Sequence, residues 1–234
     1  MRILLLGRGR MGSLVESLAP SYGCDIVGVL THQSNERALE SGDVSDVDVA
    51  IDFTLADAVP HNLPRLAARG INTVIGTTGW AAHEGSMREV VARSGIGVLA
   101  APNFSLGVNL FQLVVEEAAR RFAPHPEYGA WVHELHHQAK KDAPSGTARQ
   151  LATGMENAGY TGSIDMSSTR AGSFPGTHAV GFDGPSDTIT FTHEVRDRAV
   201  FARGALEAAK WLKGRRGWFT MRDMLMDEAT RLTS

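Results

Sequence analysis

The chain has 234 residues, of which 43% are hydrophobic and 21% charged, and its formal net charge is −3. That length supports one large domain or two modest ones with cores of their own. The slightly acidic balance leaves no electrostatic footprint for nucleic acid or an anionic membrane. The single cysteine, Cys24, cannot close an internal disulfide, which suits a reducing compartment, and it reads as a small buried hydrophobe. The opening apolar run 3–6 stops at Gly7 and Arg8, too short for a signal-peptide core. No later stretch reaches the ~18 apolar residues of a membrane span. A cytoplasmic protein is expected.

The first hundred residues alternate short apolar, β-branched runs with helical periodicity. Strands are expected over 3–6, 26–30, 47–53, 73–75 and 96–101, with helices over 11–18, 56–69 and 87–93. This alternation predicts an α/β fold with a doubly wound parallel sheet. The periodicity of 106–122 predicts a bridging helix. After Pro124 and Pro126, 128–135 alternates like an open-faced strand. A helix is expected to open near Ser145, followed by strands over 164–169, 178–182 and 188–195, more polar than the first set and suited to a mostly antiparallel sheet. Helices return over 201–212 and 221–232. The pattern divides the chain into a dinucleotide-binding domain, 1–105 with 202–234, and an inserted α+β substrate-binding and oligomerisation domain, 106–201.

The first strand runs into Gly7-Arg8-Gly9-Arg10-Met11-Gly12, a G-x-G-x-x-G loop opening a helix. Gly7 permits the tight turn, Gly9 lets backbone approach a pyrophosphate, and Gly12 lets the helix pack closely on the sheet. NAD-selective folds place an acid about 20 residues further on for the ribose 2′-hydroxyl. Here the second strand ends Val29-Leu30-Thr31-His32-Gln33, with no acid before Glu36. A 2′-phosphate is therefore acceptable, with Arg8, Arg10 or His32 to pair with it, so NADPH should serve at least as well as NADH.

His133-Glu134-Leu135-His136-His137 matches the H-E-x-x-H zinc pattern, which works only on a helix. The preceding Tyr128-Gly-Ala-Trp-Val predicts a strand, which sends His133 and Glu134 to opposite faces. No metal site is expected. Further on, Pro144 ends any preceding helix and Ser145-Gly146-Thr147 starts a new one. Helix-start N–H groups and the Ser145 and Thr147 hydroxyls suit a carboxylate. Lys140 adds positive charge, and a nearby histidine can supply a proton as hydride arrives. The segment suits reduction of a small carboxylated substrate.

Residues 134–148, ELHHQAKKDAPSGTA, meet every defined position of E-x-H-H-x-x-K-x-D-A-P-S-G-T-A. In this the chain closely resembles the 4-hydroxy-tetrahydrodipicolinate reductases, formerly dihydrodipicolinate reductases, of lysine and diaminopimelate biosynthesis. Arg10-Met11-Gly12, Gly76-Thr77-Thr78-Gly79 and Pro102-Asn103-Phe104-Ser105 match further blocks, so the resemblance spans essentially the whole chain. It implies a homotetramer whose inserted domains assemble through their sheets, and a small dicarboxylate substrate. It implies that His136 donates the proton and Lys140 assists at the substrate. His137, Ser145, Gly146 and Thr147 would hold substrate carboxylates. Gly76, Thr77 and Thr78 would line the nicotinamide side, with Ala101, Pro102, Asn103 and Phe104 closing over the cofactor. Many members have a glycine loop one residue longer and an acid at the second strand end, so the resemblance carries over no preference for NADH. Two other readings are an aspartate-type dehydrogenase and a non-catalytic dinucleotide sensor. The S-G-T helix start and double histidine argue against the first, and the acidic balance without a DNA-binding motif against the second.

Overall fold

The computed structural model describes residues 1–31 and 46–233. His32, Gln33 and Glu36, on which part of the cofactor reading falls, lie outside the described residues. The chain divides into two compact units, Met1–Leu106 with Ala199–Ser234, and Gly107–Arg198. Among the described residues no helix is long and apolar enough to cross a membrane.

In the first unit the short apolar runs become β1 (Arg2–Leu6), β2 (Asp25–Leu30), β3 (Val49–Asp52), β4 (Asn72–Ile75) and β5 (Gly97–Ala100), joined by a late strand, β10 (Gly217–Phe219). All six are parallel, in the order β10-β5-β4-β3-β1-β2. Strands covered on both faces are rich in apolar residues; β3 and β4 are buried throughout, and their polar members Asp52, Asn72 and Thr73 are each hydrogen-bonded. Helices α1 (Arg10–Leu18), α2 (Val59–Ala68), α3 (Glu84–Ser94), α6 (Ala199–Leu212) and α7 (Met221–Thr233) complete the unit. Val59, Leu63 and Ala67 of α2 and Met87 and Val91 of α3 pack with Ile75 and Val98. Helix α6 packs on β3, β4, β5 and α1. Asn72 pins the late segment to the sheet: its amide donates to Leu212 O (2.9 Å) and Arg215 O (3.0 Å) and accepts from Gly97 N (2.7 Å).

Register matters most at the strand ends. Leu6 lies beside Asp52, Asp52 beside Ile75, and Ile75 beside Ala100. The ladder continues one step further through Phe53 N to Leu6 O, Gly76 N to Asp52 O and Ala101 N to Ile75 O. Gly7, Phe53, Gly76 and Ala101 are thereby brought to one level at the carboxyl edge of the sheet. The strand order reverses between β1 and β3, the crevice where open α/β sheets bind ligands.

The second unit carries α4 (Leu106–Phe122, its first residue still in the first unit), β6 (Gly129–His136), α5 (Gly146–Asn157), β7 (Ile164–Arg170), β8 (Thr177–Asp183) and β9 (Thr188–Glu194). The sheet order is β7-β6-β8-β9; β7 runs parallel to β6 and the other pairs are antiparallel. Its core joins Phe111, Val115 and Ala119 of α4 and Leu151 and Met155 of α5 to Val132, Val180 and Phe182. Buried and half-exposed residues alternate along β6, as a period-two strand with one covered face requires. The sheet is thus mixed and mostly antiparallel, as expected.

Candidate active site

The glycine loop is shaped by what would collide if a side chain were present. Gly7 has φ +88°, and a Cβ there would strike the Phe53 carbonyl; one at Gly12 would strike the Gly7 carbonyl. Around Gly9 the space is open. Gly9 caps α1 with extended backbone and no side-chain acceptor, and the first turn holds no acid. Among the described residues the leading N–H groups therefore meet no side-chain cap, which fits a pyrophosphate at a helix N-terminus. Met11 is half-buried, whereas Arg8 and Arg10 are exposed, and Arg8 pairs with Glu16 (3.1 Å).

At the neighbouring strand ends, a Cβ on Gly76 would run into the Phe53 ring, which itself meets Phe104 edge-on. Thr77 is buried and Thr78 exposed. Thr77 Oγ1 donates to Asp52 Oδ1 (3.0 Å), and Trp80 Nε1 donates to Thr77 O (2.8 Å). Asn103 Oδ1 accepts from Ser105 N (2.9 Å), folding 101–104 into a turn in which Ala101 and Phe104 are buried and Pro102 is exposed. Asp52 is the residue that sequence reasoning missed here. It also accepts from Thr54 N (2.9 Å), Thr54 Oγ1 (2.6 Å) and Asn62 Nδ2 (3.1 Å), so it ties the end of β3 to the Gly76-Thr77 turn.

In the second unit, β6 resolves the H-E-x-x-H pattern by parity. His133 lies on one face, bonded to Ser167 Oγ (2.8 Å). Glu134 and His136, two residues apart, share the buried face. Glu134 is 0% exposed. Its Oε1 accepts from Arg170 Nη2 (2.6 Å) and Ser145 N (3.2 Å), and its Oε2 accepts from Arg170 Nη1 (3.0 Å) and binds His136 Nδ1. Burial alone would raise the Glu134 carboxyl, but the bonds from Arg170, Ser168 and His136 hold it down at about 2. Burial pushes His136 below its ordinary value, against the opposing pull of Glu134. Among the described residues His136 Nε2 makes no hydrogen bond, and a Cβ at Gly176 would stand 3.0 Å from it. A glycine there keeps that edge of the imidazole clear.

Cross-strand pairing adds His178, opposite Glu134 on β8. It is 4% exposed, and burial lowers it to about 4. Its Nε2 lies 3.2 Å from Ser145 Oγ, while its buried Nδ1 has no partner among the described residues. Glu134, His136 and His178 bring possible metal-ligand atoms within 4.8 Å of one another. Both Glu134 oxygens are already neutralised by the Arg170 guanidinium, so the cluster is built as a hydrogen-bonded network around a salt bridge.

Ser145 is the N-cap of α5, accepting from Ala148 N (3.1 Å). Its N–H is engaged by Glu134, so the donors left to meet an anion at this helix start are those of Thr147, of Gly146, which now faces Asp142, and of the Ser145 hydroxyl, which also meets His178. Lys140 Nζ pairs with Asp142 Oδ1 (2.7 Å). The Asp142 carboxyl is held low first by Lys140 and, against desolvation, by N–H groups including that of Gly146. The loop thus supplies an anion of its own where a substrate carboxylate was expected. His137 is half-buried, its N–H bonded to Phe174 O (2.9 Å) and its Nε2 3.3 Å from Arg198 Nη2. His136, His137, Lys140, Ser145, Gly146 and Thr147 all lie in this one unit, on the end of β6, the loop after it and the start of α5. Arg170, His178, Gly176 and Arg198 come from strands and loops distant in sequence; a buried-face histidine in the alternating Thr177-His-Ala-Val was the one available signal.

The parallel sheet with its glycine loop at the switch point belongs to the nucleotide-binding class of α/β folds. Residues 1–104 match the model of the dihydrodipicolinate reductase N-terminus and residues 107–225 that of its C-terminus. The 4-hydroxy-tetrahydrodipicolinate reductase of Christiangramia forsetii is 35% identical, covering 97% of this chain and 98% of its own length. That of Archaeoglobus fulgidus is 34% identical, covering 96% and 100%. In fold, a dipicolinate-bound dihydrodipicolinate reductase from Paenisporosarcina sp. TG-14 superposes with a TM-score of 0.81 at 20% identity, covering 94% of this chain and 97% of that one. The chain belongs to the dihydrodipicolinate reductase family of oxidoreductases.

Proposed function

We infer that the protein reduces 4-hydroxy-tetrahydrodipicolinate to tetrahydrodipicolinate with NAD(P)H, in diaminopimelate and lysine biosynthesis, and works as a cytoplasmic homotetramer. One observation carries this reading: a buried imidazole with a clear Nε2 edge sits beside a helix start and a loop lysine, all within residues 134–148. The arrangement combines a proton source, a fixed cation and anion-seeking backbone, which a small dicarboxylate imine requires. The sheet face carrying half-buried Trp131 and Leu135 and exposed Thr190 and Thr192 supports assembly through the second unit.

Gly7 turns the chain, and Gly9 and Gly12 let the N–H groups at the start of α1 reach the pyrophosphate, with Arg8, Arg10 and Met11 flanking it. Gly76, Thr77, Thr78 and the turn Ala101, Pro102, Asn103 and Phe104 form the nicotinamide side. Arg10 is exposed and Arg8 can exchange Glu16 for a 2′-phosphate, which supports NADPH as at least the equal of NADH. The reduced nicotinamide, when bound, supplies the hydride.

Loss of water from the substrate leaves a ring imine, across which hydride and a proton add. One substrate carboxylate meets Gly146 N, Thr147 and the Ser145 hydroxyl, with His137 beside them. Lys140 exchanges Asp142 for substrate anion and steadies charge as it shifts. His136 gives up the proton. In the free protein burial keeps this imidazole largely neutral at pH 7; two arriving carboxylates favour its protonated form.

Purified protein given NADPH and the condensation product of pyruvate and aspartate semialdehyde should oxidise the cofactor steadily. Tight dinucleotide binding without oxidation would favour the sensor reading. His136→Gln should lower kcat about 10²–10⁴-fold with a smaller change in KM; near-normal turnover would move the proton donor elsewhere.

A further inference from the structure

Glu134 opens the segment that carries the chemistry, yet the reaction as derived gives it nothing to do. We propose that Glu134, clamped by Arg170, is a positioning residue that fixes the tautomer and aim of His136. This rests on the reading of His136 as the proton donor.

An ionised carboxylate only accepts hydrogen bonds. With Glu134 ionised, the contact between its Oε2 and His136 Nδ1 makes Nδ1–H the donor. The ring's variable proton is then on Nε2, the edge that Gly176 leaves clear. A triad aspartate does the same for its histidine, holding one nitrogen protonated so that the other can load and deliver a proton. The carboxylate also stabilises the imidazolium at the moment it forms, partly offsetting burial.

The clamp explains why the carboxylate does not turn away. Arg170 spans both Glu134 oxygens and uses its remaining reach on Asp142 O (2.6 Å) and Thr169 O (2.9 Å). The parallel register that sets Arg170 beside His136 places the guanidinium where a bidentate pair can form. Glu134 Oε1 also receives Ser145 N (3.2 Å). One buried carboxylate therefore holds the imidazole, the start of α5 and, through Arg170, the loop carrying Lys140. The charged and titratable groups facing His136 are Glu134 on β6, Arg170 on β7, His178 on β8 and Lys140 on the loop.

The test uses full-length protein in three forms: wild type, Glu134→Gln, and Glu134→Gln with Arg170→Gln. The double form removes the unpaired buried charge that the single variant leaves. Histidine ring ¹⁵N spectra of the free protein, with His136 assigned by its loss in His136→Gln, read the tautomer without any turnover. Wild type should show Nδ1–H at His136, and both variants carrying Glu134→Gln a mixture. Their kcat should fall about 10- to 10³-fold with KM changed far less, and the alkaline limb of kcat should move to lower pH. The double variant should regain thermal stability without regaining kcat. An Nε2–H tautomer in wild type would overturn the proposal, even if neither variant folds. So would recovery of kcat together with stability in the double variant, which would mark a purely structural pair. Undiminished turnover in His136→Gln would instead sink the proton-donor reading, whatever the tautomer.

Discussion

The two halves of the proposed site are built from opposite materials. At the carboxyl edge of the parallel sheet, the geometry depends on missing side chains: Gly7, Gly12 and Gly76 sit where a Cβ would strike a carbonyl or a ring. At the end of β6 it depends on side chains driven into the interior, where Glu134, His136, Ser145 and His178 are all buried. The first half is a problem of steric clearance and the second of buried ionisation. They should fail in different ways.

The largest effect expected is steric. Gly12→Ala sets a methyl group against the Gly7 carbonyl, and neither backbone segment can retreat without moving β1. A loss on the order of 3 kcal/mol is expected, visible as a lowered midpoint in urea and as weak dinucleotide binding. An unchanged midpoint would show that the loop has slack the geometry denies.

Acid should separate the halves next. His178 is held at about 4 in the folded state against about 6.5 in an unfolded chain. A group depressed in this way favours the fold above its unfolded value. The benefit is lost as pH falls from about 6.5 toward 4, on the order of 2–3 kcal/mol in all. His136 acts with the same sign. Glu134, at about 2, still favours folding across that window. Hydrogen exchange at pH 5 should therefore show the second unit loosening while the parallel sheet keeps its protection. Uniform loosening would break the contrast, and His178→Gln should flatten the pH dependence.

The smallest effect should come from Arg8, whose pair with Glu16 is exposed. Arg8→Ala should change stability by less than about 0.5 kcal/mol. It should raise KM for NADPH about tenfold through loss of a charged hydrogen bond, with KM for NADH nearly unchanged. Equal effects on both cofactors would remove Arg8 from the 2′-phosphate.

The same contrast explains how much was legible in sequence. Local signals carried far. Short apolar runs located β1 to β5, helical period found α4, and the glycine spacing marked the loop because three glycines within six residues, behind a strand and ahead of a helix, are a local pattern, even though Gly7 is required by distant Phe53. Strand β10 escaped because three residues behind Arg215-Arg216 offer no period, and it forms only because β5 presents an edge. The substrate segment was legible as a motif but not as a mechanism. Arg170 reaches Glu134 through strand pairing across 36 residues, and His178 reaches Ser145 across 33. The parity of β6, which puts Glu134 beside His136, was available in the sequence. The same parity that parts Glu134 from His133 pairs it with His136.

The sheet of the first unit is assembled from distant parts of the chain. Strands β1 to β5 are synthesised first, but β10 at their edge and α6 across β3 to β5 come after residue 198, and Asn72 waits for Leu212 and Arg215 to satisfy its amide. The second unit is one continuous stretch, Gly107–Arg198. During translation at about 5–20 residues per second, the parallel sheet must stand with an open edge and an uncovered face for roughly ten seconds, while the inserted unit emerges and can close its own core. A chain cut short near residue 198 would thus carry a finished insert on an unfinished frame, and strands β1 to β5 would be the last to find shelter.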